Sequence, residues 1–417
     1  MNIVKLAYKQ LATRPLHTIL NVLLLALGIA TITLLMLFNA QLQDKLLNSS
    51  KGIDLVVGAK GSPLQLILSS VYHADIPNGN IPLKEADQIA KHRLVAKAIP
   101  MALGDNLMGF RIVGTTHDYV GLYGGEIAEG QLWKVSMEAV LGANVAKKSG
   151  LKVGQNFAGS HGLAGNGGHE HDDNQYHVVG ILKPTGTVLD DVVLTEMQSV
   201  WDLHESETTT NPVFAQPSKP ATAAKPANDD DDEEEGKPRD ITALLISYKT
   251  PLAVLALPRH INANTNMLAA SPAMEAARLL SIVGFGLDAF RAFAAILIIS
   301  AGLSVFVALY TALKERRFDL AVMRMLGSSR FRLFTAVLLE GLLLAVASAA
   351  LGLAIGHGVV ELAGRTGMTP GLALTGRYWV PQEALLALLA VGVGAFAALI
   401  PAIQAYRTEI ATVLSER

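Results

Sequence analysis

The sequence predicts an α-helical membrane protein with four transmembrane helices and an α+β domain inserted between helices 1 and 2. Of its 417 residues, 51% are hydrophobic and 17% are charged, and the mean hydropathy is +0.36. A soluble domain carries about 25% charged residues, so part of this chain belongs in lipid. The 36 acidic residues and 17 prolines indicate a second part that lies in water.

Four apolar segments reach or approach the roughly 20 residues that a helix needs to cross a bilayer. The predicted transmembrane helices are residues 17–41, 289–313, 333–360 and 384–404. Residues 1–16 are predicted to form a short helix before the first of them. The apolar core of a signal peptide has about 7–15 residues. The first apolar segment is longer, so we interpret it as a transmembrane helix that is kept in the protein.

Lysines and arginines predict the orientation, because cytoplasmic loops carry an excess of them. The basic residues near the membrane ends are Lys5, Lys9, Arg14, Lys314, Arg316, Arg317, Arg324, Arg330, Arg332, Arg407 and Arg417. All of them fall on one side if both termini are cytoplasmic. Residues 314–332 and the tail 405–417 are then inside, whereas the loop 361–383 and the large segment 42–288 are outside.

The segment 42–288 is predicted to form one or two α+β lobes. Strand-like runs alternate with turn residues, and two stretches have helical periodicity. The predicted strands are 53–57, 110–113, 177–182 and 188–194, and the predicted helices are 83–92 and 135–149. Residues 206–240 are rich in Pro, Ala, Thr and charge, which favours a disordered acidic linker. Its acidic run at 229–235 is predicted to be solvated, with attraction of cations as the alternative.

Composition and motifs exclude several functions. A net charge of −2 is not that of a generally basic nucleic-acid-binding protein, so we predict no nucleic-acid partner. The chain has no cysteine, which excludes disulfide scaffolds, thiolate metal sites and cysteine nucleophiles and is compatible with an oxidising compartment. No G-x-S-x-G or H-E-x-x-H motif occurs, so no catalytic residue is predicted.

A histidine-rich loop is predicted at 161–177, with the sequence HGLAGNGGHEHDDNQYH. Imidazole and carboxylate groups are suitable zinc ligands. The candidate ligands are His161, His169, His171, His177, Asp172 and Asp173. Their spacing does not define a closed tetrahedral site, so two interpretations stay open: transient zinc sensing or delivery, and a solvated hairpin loop with incidental histidines. A catalytic zinc site is the least favoured reading.

The stretch KERRFDLAVMRMLGSSRFRLF at 314–334 has apolar residues at helical spacing with arginines among them. By itself this is also typical of a basic helix resting on anionic headgroups. Its order, Lys-Glu-Arg-Arg, then an apolar and charged helix, then Leu-Gly-Ser-Ser before the next span, resembles the cytoplasmic segment of MacB/FtsX-type ABC transporter permeases, the type VII mechanotransmission class. The C-terminal PAIQAYRTEIATVLSER resembles the ending of that family, and residues 139–155 and 177–194 resemble its periplasmic core domain.

This resemblance implies an inner-membrane permease subunit whose inserted domain is periplasmic. The chain contains no G-x-x-x-x-G-K-[ST] motif, so ATP would be bound by a separate ABC ATPase subunit and no cofactor is expected in this chain. The resemblance also implies a coupling helix within 314–332 that docks on the ATPase. The residues expected on its coupling surface are Glu315, Arg316, Arg317, Arg324, Gly327, Ser328 and Arg330.

The resemblance further implies a second permease subunit, in a homo- or heterodimer, and a periplasmic partner. Motion would reach the periplasmic domain through continuous helices, with 273–288 as a stalk; an ordinary surface helix is the alternative there. Polar residues inside the predicted spans are Asn21, Glu340 and His357. Such residues are costly in lipid and usually functional, and we predict interhelical hydrogen bonds at the dimer seam.

Three other functions remain as alternatives. The protein could be a regulatory scaffold that activates a periplasmic partner without transporting a cargo. It could be a zinc-linked membrane protein that works through the histidine-rich loop. A membrane-anchored hydrolase is the least favoured, because no catalytic motif supports it.

Overall fold

The computed structural model describes residues 3–13, 15–160, 170–210, 239–366 and 374–407. The chain divides into two compact units. The membrane unit comprises Met1–Gln43 and Leu280–Arg417, and the inserted domain comprises Asp44–Leu279. Helix boundaries are set partly by proline, since three of the helices begin at one, a residue whose fixed φ suits the first helical position.

The described helices, in chain order, are α1 (Ile3–Ala12), α2 (Pro15–Ser49), α3 (Pro63–Ser70), α4 (Leu83–Ala90), α5 (His117–Leu122), α6 (Ala143–Ser149), α7 (Met197–Thr210), α8 (Ala253–Asn264), α9 (Pro272–Glu315), α10 (Arg317–Met325), α11 (Arg330–Thr366) and α12 (Gln382–Arg407). The described strands are β1 (Leu55–Ala59), β2 (Ile81–Pro82), β3 (Val95–Leu107), β4 (Phe110–Thr115), β5 (Ile127–Gly130), β6 (Glu138–Leu141), β7 (Asn156–Ser160), β8 (Glu170–Leu182), β9 (Val192–Thr195), β10 (Asp240–Ile241), β11 (Ala243–Tyr248) and β12 (Met267–Ala270).

Four of these helices, α2, α9, α11 and α12, are long and apolar enough to cross a membrane, and each contains one predicted span. The predicted fold class is therefore confirmed. The predicted stalk 273–288 forms the first part of α9, which continues without a break into the predicted span. The predicted coupling segment 314–332 contains the separate short helix α10.

Small residues bring α11 and α12 into close contact. A Cβ atom added to Gly341 would lie 2.5 Å from Ala398 Cβ and 3.0 Å from the Gly394 carbonyl oxygen. Backbones can approach this closely only where side chains are small, which is how membrane helices commonly pack. Polar residues that are buried in the unit are therefore held between helices rather than facing lipid.

The inserted domain is built on a sheet whose described strands follow the order β12-β1-β11-β3-β4-β9-β6-β8-β5, with β7 pairing with β3 and β8. The pairs β4–β9 and β6–β8 are parallel, and β1 lies antiparallel between β11 and β12. Side chains alternate along a strand, so Val56 enters one core cluster while Leu55 and Val57 enter another. Both faces of β1 are thus buried, which explains its continuous apolar run.

The predicted helix at 135–149 is wrong in its first half. Residues Glu138–Leu141 form β6, and the helix begins only at Ala143. The apolar Ala139, Val140 and Leu141 are fully buried between β8 and β9, so tertiary pairing overrides local helical periodicity. The predicted helix at 83–92 is confirmed by α4.

The predicted strand at 188–194 is also wrong in its first half. Val188–Asp191 forms a 3₁₀ turn before β9, because the Asp190 carboxylate accepts the backbone N–H groups of Thr185 and Gly186 at 2.7 Å each. The predicted strands at 53–57, 110–113 and 177–182 are confirmed, with shifted ends, by β1, β4 and β8.

Two predicted irregular segments are shorter than expected. Residues 170–177 of the predicted histidine-rich loop belong to β8, which pairs antiparallel with β7. Residues 206–210 of the predicted linker belong to α7, and Asp240 begins β10. Residues 161–169 and 211–238, with the acidic run, lie outside the described residues.

Candidate functional site

The Leu-Gly-Ser-Ser run ends one helix and starts the next. Gly327 has a φ of +94°, and its N–H bonds the Arg324 carbonyl (3.1 Å) at the end of α10. A positive φ at this position favours glycine, because it has no Cβ. Ser329 then accepts the Arg332 N–H through its hydroxyl at 3.3 Å and caps α11.

Helix α10 is buried on one side and is followed by exposed apolar residues. Leu320 packs in a cluster with Leu313 and Leu333. Where α10 ends and α11 begins, Met325 is exposed, Leu326 is 82% exposed, and Phe331 is also exposed. A grouped set of exposed large apolar residues is typical of an interaction surface. We call these three residues the α10 patch.

Arg316 lies between α9 and α10, and its side chain contacts α1 and α11. One guanidinium nitrogen, Nη2, donates to the Gln10 carbonyl (3.2 Å) and to the Thr13 hydroxyl (2.8 Å). The other, Nη1, lies 3.7 Å from Glu340 Oε1 on α11. The sequence predicted Arg316 on the coupling surface, but these contacts join α1, α10 and α11 of the same chain.

The other residues predicted on the coupling surface lie between the end of α9 and the start of α11. Glu315, Gly327 and Arg330 are exposed, whereas Arg324 and Ser328 are half-buried. Arg317 begins α10, but its side chain lies outside the described atoms. Their role in contacting an ATPase stays a prediction.

The intramembrane polar residues bond to other helices within the chain. Asn21 Oδ1 on α2 accepts the Ser304 hydroxyl of α9 at 2.7 Å. Glu340 is buried beside Arg316. A cavity of about 520 Å³ lies next to these residues, between α1, α2, α9 and α11. These contacts lie inside one chain, and the dimer seam stays a prediction.

His357 is held from both sides. Its Nδ1–H donates to the Gly376 carbonyl at 2.6 Å, and its Nε2 lies 3.0 Å from Glu383 Oε2 on α12. The other Glu383 oxygen accepts the Val380 N–H at 3.1 Å. Gln41 of α2 pairs with both backbone groups of Thr375 at 2.8 and 3.1 Å. The described end of the loop before α12 is thereby bonded to α2, α11 and α12.

Sequence reasoning missed Glu383 and Gln41. A signal for Glu383 was present in the sequence. A glutamate just before an apolar run is typical of a helix N-terminus, where its carboxylate accepts the backbone N–H three residues earlier, here that of Val380. No local signal marks Gln41, since its partner is more than 300 residues away in the chain.

The last turn of α2 is anchored in the inserted domain. Lys45 Nζ lies 2.8 Å from Asp191 Oδ2, and both side chains are mostly buried. The hydroxyls of Tyr72 and Tyr123 donate to the carbonyls of Leu46 (3.2 Å) and Ser49 (2.8 Å). Burial raises the pKa of both tyrosines, so they remain protonated donors.

Aromatic contacts continue from this anchor into the domain core. The Tyr123 ring packs edge-on against Tyr119 with centroids 5.2 Å apart, and Tyr119 Oη lies 2.9 Å from His73 Nε2. Burial, and then the nearby Arg111, lowers the pKa of His73 to about 3, so this imidazole is neutral. His73 has a φ of +52°, a strained value for a residue with a side chain.

The structure leaves the zinc prediction untested. His161 and His169 lie outside the described residues, and only the backbone of His171, Asp172 and Asp173 is described. His177 is exposed, with Nδ1 2.7 Å from Asn156 Oδ1. Across the ranges that the structure describes, no three histidine or carboxylate side chains are grouped as a metal site would require.

Comparison with known proteins matches two domain families. Residues 18–234 match the MacB-like periplasmic core domain, and residues 291–410 match the FtsX-like permease C-terminal domain. Among curated proteins, no match was found.

Two solved structures are similar to the chain. The periplasmic region of MacB from Actinobacillus actinomycetemcomitans is 10% identical with a TM-score of 0.33, over 56% of this chain and 97% of that one. The extracellular domain of the noncanonic ABC-type transporter YknZ from Gram-positive bacteria is 9% identical with a TM-score of 0.29, over 52% of this chain and 99% of that one. The first family match covers more than half of the chain and the second covers most of its C-terminal third, so the protein is a multi-pass bacterial membrane protein that belongs to the MacB/FtsX-type ABC transporter permeases.

Proposed function

We propose that this permease subunit couples ATP hydrolysis by a separate ABC ATPase to motion of its inserted domain, which lies in the periplasm. The observation that carries the proposal is the continuity of α9. This helix has 44 residues and a length of about 66 Å, roughly twice the hydrocarbon core of a bilayer. It begins directly after strand β12 of the inserted domain and ends next to α10.

The ATPase docks on the α10 patch. Met325, Leu326 and Phe331 are large apolar residues that the subunit does not use in its own core. Arg330 and Glu315 lie in the chain beside them and supply charge at the rim. A partner that binds here moves α10, and the turn at Arg316 joins α10 directly to α9.

At the other end, α2 offers a second mechanical connection. Its last turn is held by the Lys45–Asp191 ion pair and by two tyrosine hydroxyls. A movement of this turn therefore carries the rest of the inserted domain with it. This motion of the inserted domain suits extraction of a lipid or lipoprotein, or efflux through periplasmic partners. The permease acts as a dimer in the inner membrane, with both termini of each subunit in the cytoplasm.

The test is association and ATP hydrolysis with a co-expressed ABC ATPase in nanodiscs. Leu326→Asp is expected to weaken ATPase association at least tenfold, because it places a charge in an apolar interface. The matched control is Leu255→Asp in α8 of the inserted domain, since Leu255 is 80% exposed and Leu326 is 82% exposed. Equal association of the two variants would contradict docking on the α10 patch.

The regulatory scaffold is distinguished in the same assay. A transporter is expected to change its ATPase rate when a cargo is added, whereas a scaffold hydrolyses ATP at a rate that lipid or lipoprotein cargo does not alter. For the zinc-linked alternative, no contact among the described side chains offers support.

A further inference from the structure

The cavity between α1, α2, α9 and α11 has the size and lining of a binding site. Its volume is about 520 Å³, within the range of about 300–1,000 Å³ that ligand pockets occupy. It lies entirely within the membrane unit, which the four helices place in a bilayer. The lining combines apolar side chains with a few polar and charged ones.

The cavity has charged residues at one end, and its walls are mostly apolar with a few amide and hydroxyl groups. Arg316, Glu315 and Gln10 line it at one end, and Leu20, Val307 and other apolar residues line its walls. Ser304, which also lines it, lies 12 residues before Arg316 in α9, about 18 Å along the helix. Half of a bilayer core measures about 15 Å, so the cavity extends from headgroup level to near the bilayer centre. This is the length of one phospholipid molecule in one leaflet.

The charges at the polar end fit a zwitterion. Arg316 supplies a positive charge, and Glu315 and Glu340 supply negative charges around the same space. Arg316 Nη1 and Glu340 Oε1 form an ion pair at 3.7 Å, so opposite charges lie next to each other in the lining. A headgroup that carries both a phosphate and a cation complements this arrangement, whereas a headgroup with only negative charge faces two carboxylates.

A hydrogen-bond acceptor decides which cation fits. Gln10 Oε1 is buried and has no hydrogen-bond partner among the described residues. Leaving a buried acceptor unpaired is unfavourable, and a ligand with an N–H donor would offset that cost. A primary ammonium has three such donors, and a trimethylated ammonium has none.

We propose that this cavity is a binding site for a diacyl phospholipid with a primary-amine headgroup, phosphatidylethanolamine. Its phosphate pairs with Arg316, its ammonium donates to Gln10 Oε1 and faces Glu340, and one acyl chain lies along the apolar wall toward Ser304. The lipid joins α1 to the transmembrane helices at the side of the membrane where α10 lies. This inference rests on the membrane unit alone and stands whether or not an ATPase docks on α10.

The experiment is native mass spectrometry of the full chain, purified in detergent and exposed to equal amounts of phosphatidylethanolamine and phosphatidylcholine with identical acyl chains. We expect at least tenfold preferential retention of phosphatidylethanolamine, because phosphatidylcholine lacks N–H donors. Gln10→Met keeps the side-chain length and removes the acceptor, and it is expected to abolish most of this preference. The matched control is Gln382→Met at the start of α12, an exposed glutamine that does not line the cavity.

A second variant separates loss of binding from misfolding. Ala308→Leu fills the cavity from α9 without changing any polar group, and it is expected to reduce retention of both lipids at an unchanged melting temperature. Soluble phosphoethanolamine in excess is expected not to displace the lipid, since it lacks the acyl chain. Equal retention of the two lipids, unchanged retention in Gln10→Met, or displacement by phosphoethanolamine would each overturn the proposal. A dimer that retains neither lipid would indicate that a second copy of the chain fills the cavity, and this result would also overturn the proposal.

Discussion

The last turn of α2, which belongs to the inserted domain, allows a prediction with a defined magnitude. Tyr123 donates its hydroxyl to the Ser49 carbonyl at 2.8 Å, and Ser49 is completely buried. Ser49 is the last residue of α2, where helix carbonyls lack a partner inside the helix. The variant Tyr123→Phe removes the donor and keeps the ring, so the buried carbonyl is left unpaired.

A buried acceptor without its partner costs roughly 1–3 kcal/mol. If this cost is confined to the last turn of α2, the free energy of local opening falls by the same amount. Amide hydrogen exchange at residues 46–53 is then expected to accelerate roughly 5- to 150-fold in the full chain, while exchange in the central strands of the sheet stays unchanged.

The control is Tyr176→Phe, which removes a hydroxyl from a tyrosine buried in a different core cluster, with Phe157. The measurement is hydrogen exchange by mass spectrometry, which compares the exchange rates of residues 46–53 in both variants and in the parent protein. If residues 46–53 exchange at the parent rate in Tyr123→Phe, or equally fast in both variants, the hydroxyl does not anchor α2 and the reasoning fails.

Two further predictions concern stability. Gly341→Ala is expected to lower the melting temperature of the purified chain, because the added Cβ would lie 2.5 Å from Ala398 Cβ. The control Gly392→Ala should be neutral or stabilising, because its added Cβ would have no atom within 4 Å. Equal melting temperatures of the two variants would exclude the close α11–α12 contact. His73 has a folded pKa of about 3 against an ordinary 6.5, so below pH 6.5 the unfolded chain binds a proton that the folded chain does not. Stability is therefore expected to fall as the pH drops from 6.5 toward 3, by up to about 1.4 kcal/mol per pH unit. His73→Asn should flatten that part of the stability profile, and an unchanged slope would assign it to other groups.

Hydrophobic length was sufficient to predict the membrane helices. A span of about 20 apolar residues has no other stable place than a bilayer or a large core, so 17–41, 289–313, 333–360 and 384–404 could be located without any tertiary information. The Leu-Gly-Ser-Ser run was equally local, because a positive φ at Gly327 and a hydroxyl cap at Ser329 depend on adjacent residues only.

Secondary structure in the inserted domain was less predictable from the sequence. Residues 139–141 have apolar side chains that suit a helix or a strand, and pairing with β8 and β9 on either side selects the strand. The turn at 188–191 depends on the Asp190 carboxylate, whose preference for backbone N–H groups competes with strand formation.

By itself the sequence determined the number of membrane helices, the position of the inserted domain and the end of α10, because each depends on hydrophobic length or on neighbouring residues. Only the tertiary structure decided what the polar residues do. Arg316 faces Gln10 and Glu340, and Gln41 holds Thr375, because helices distant in the chain pack side by side. The direction of a long side chain is set by the partners that folding brings within reach, and these are not visible in its local sequence.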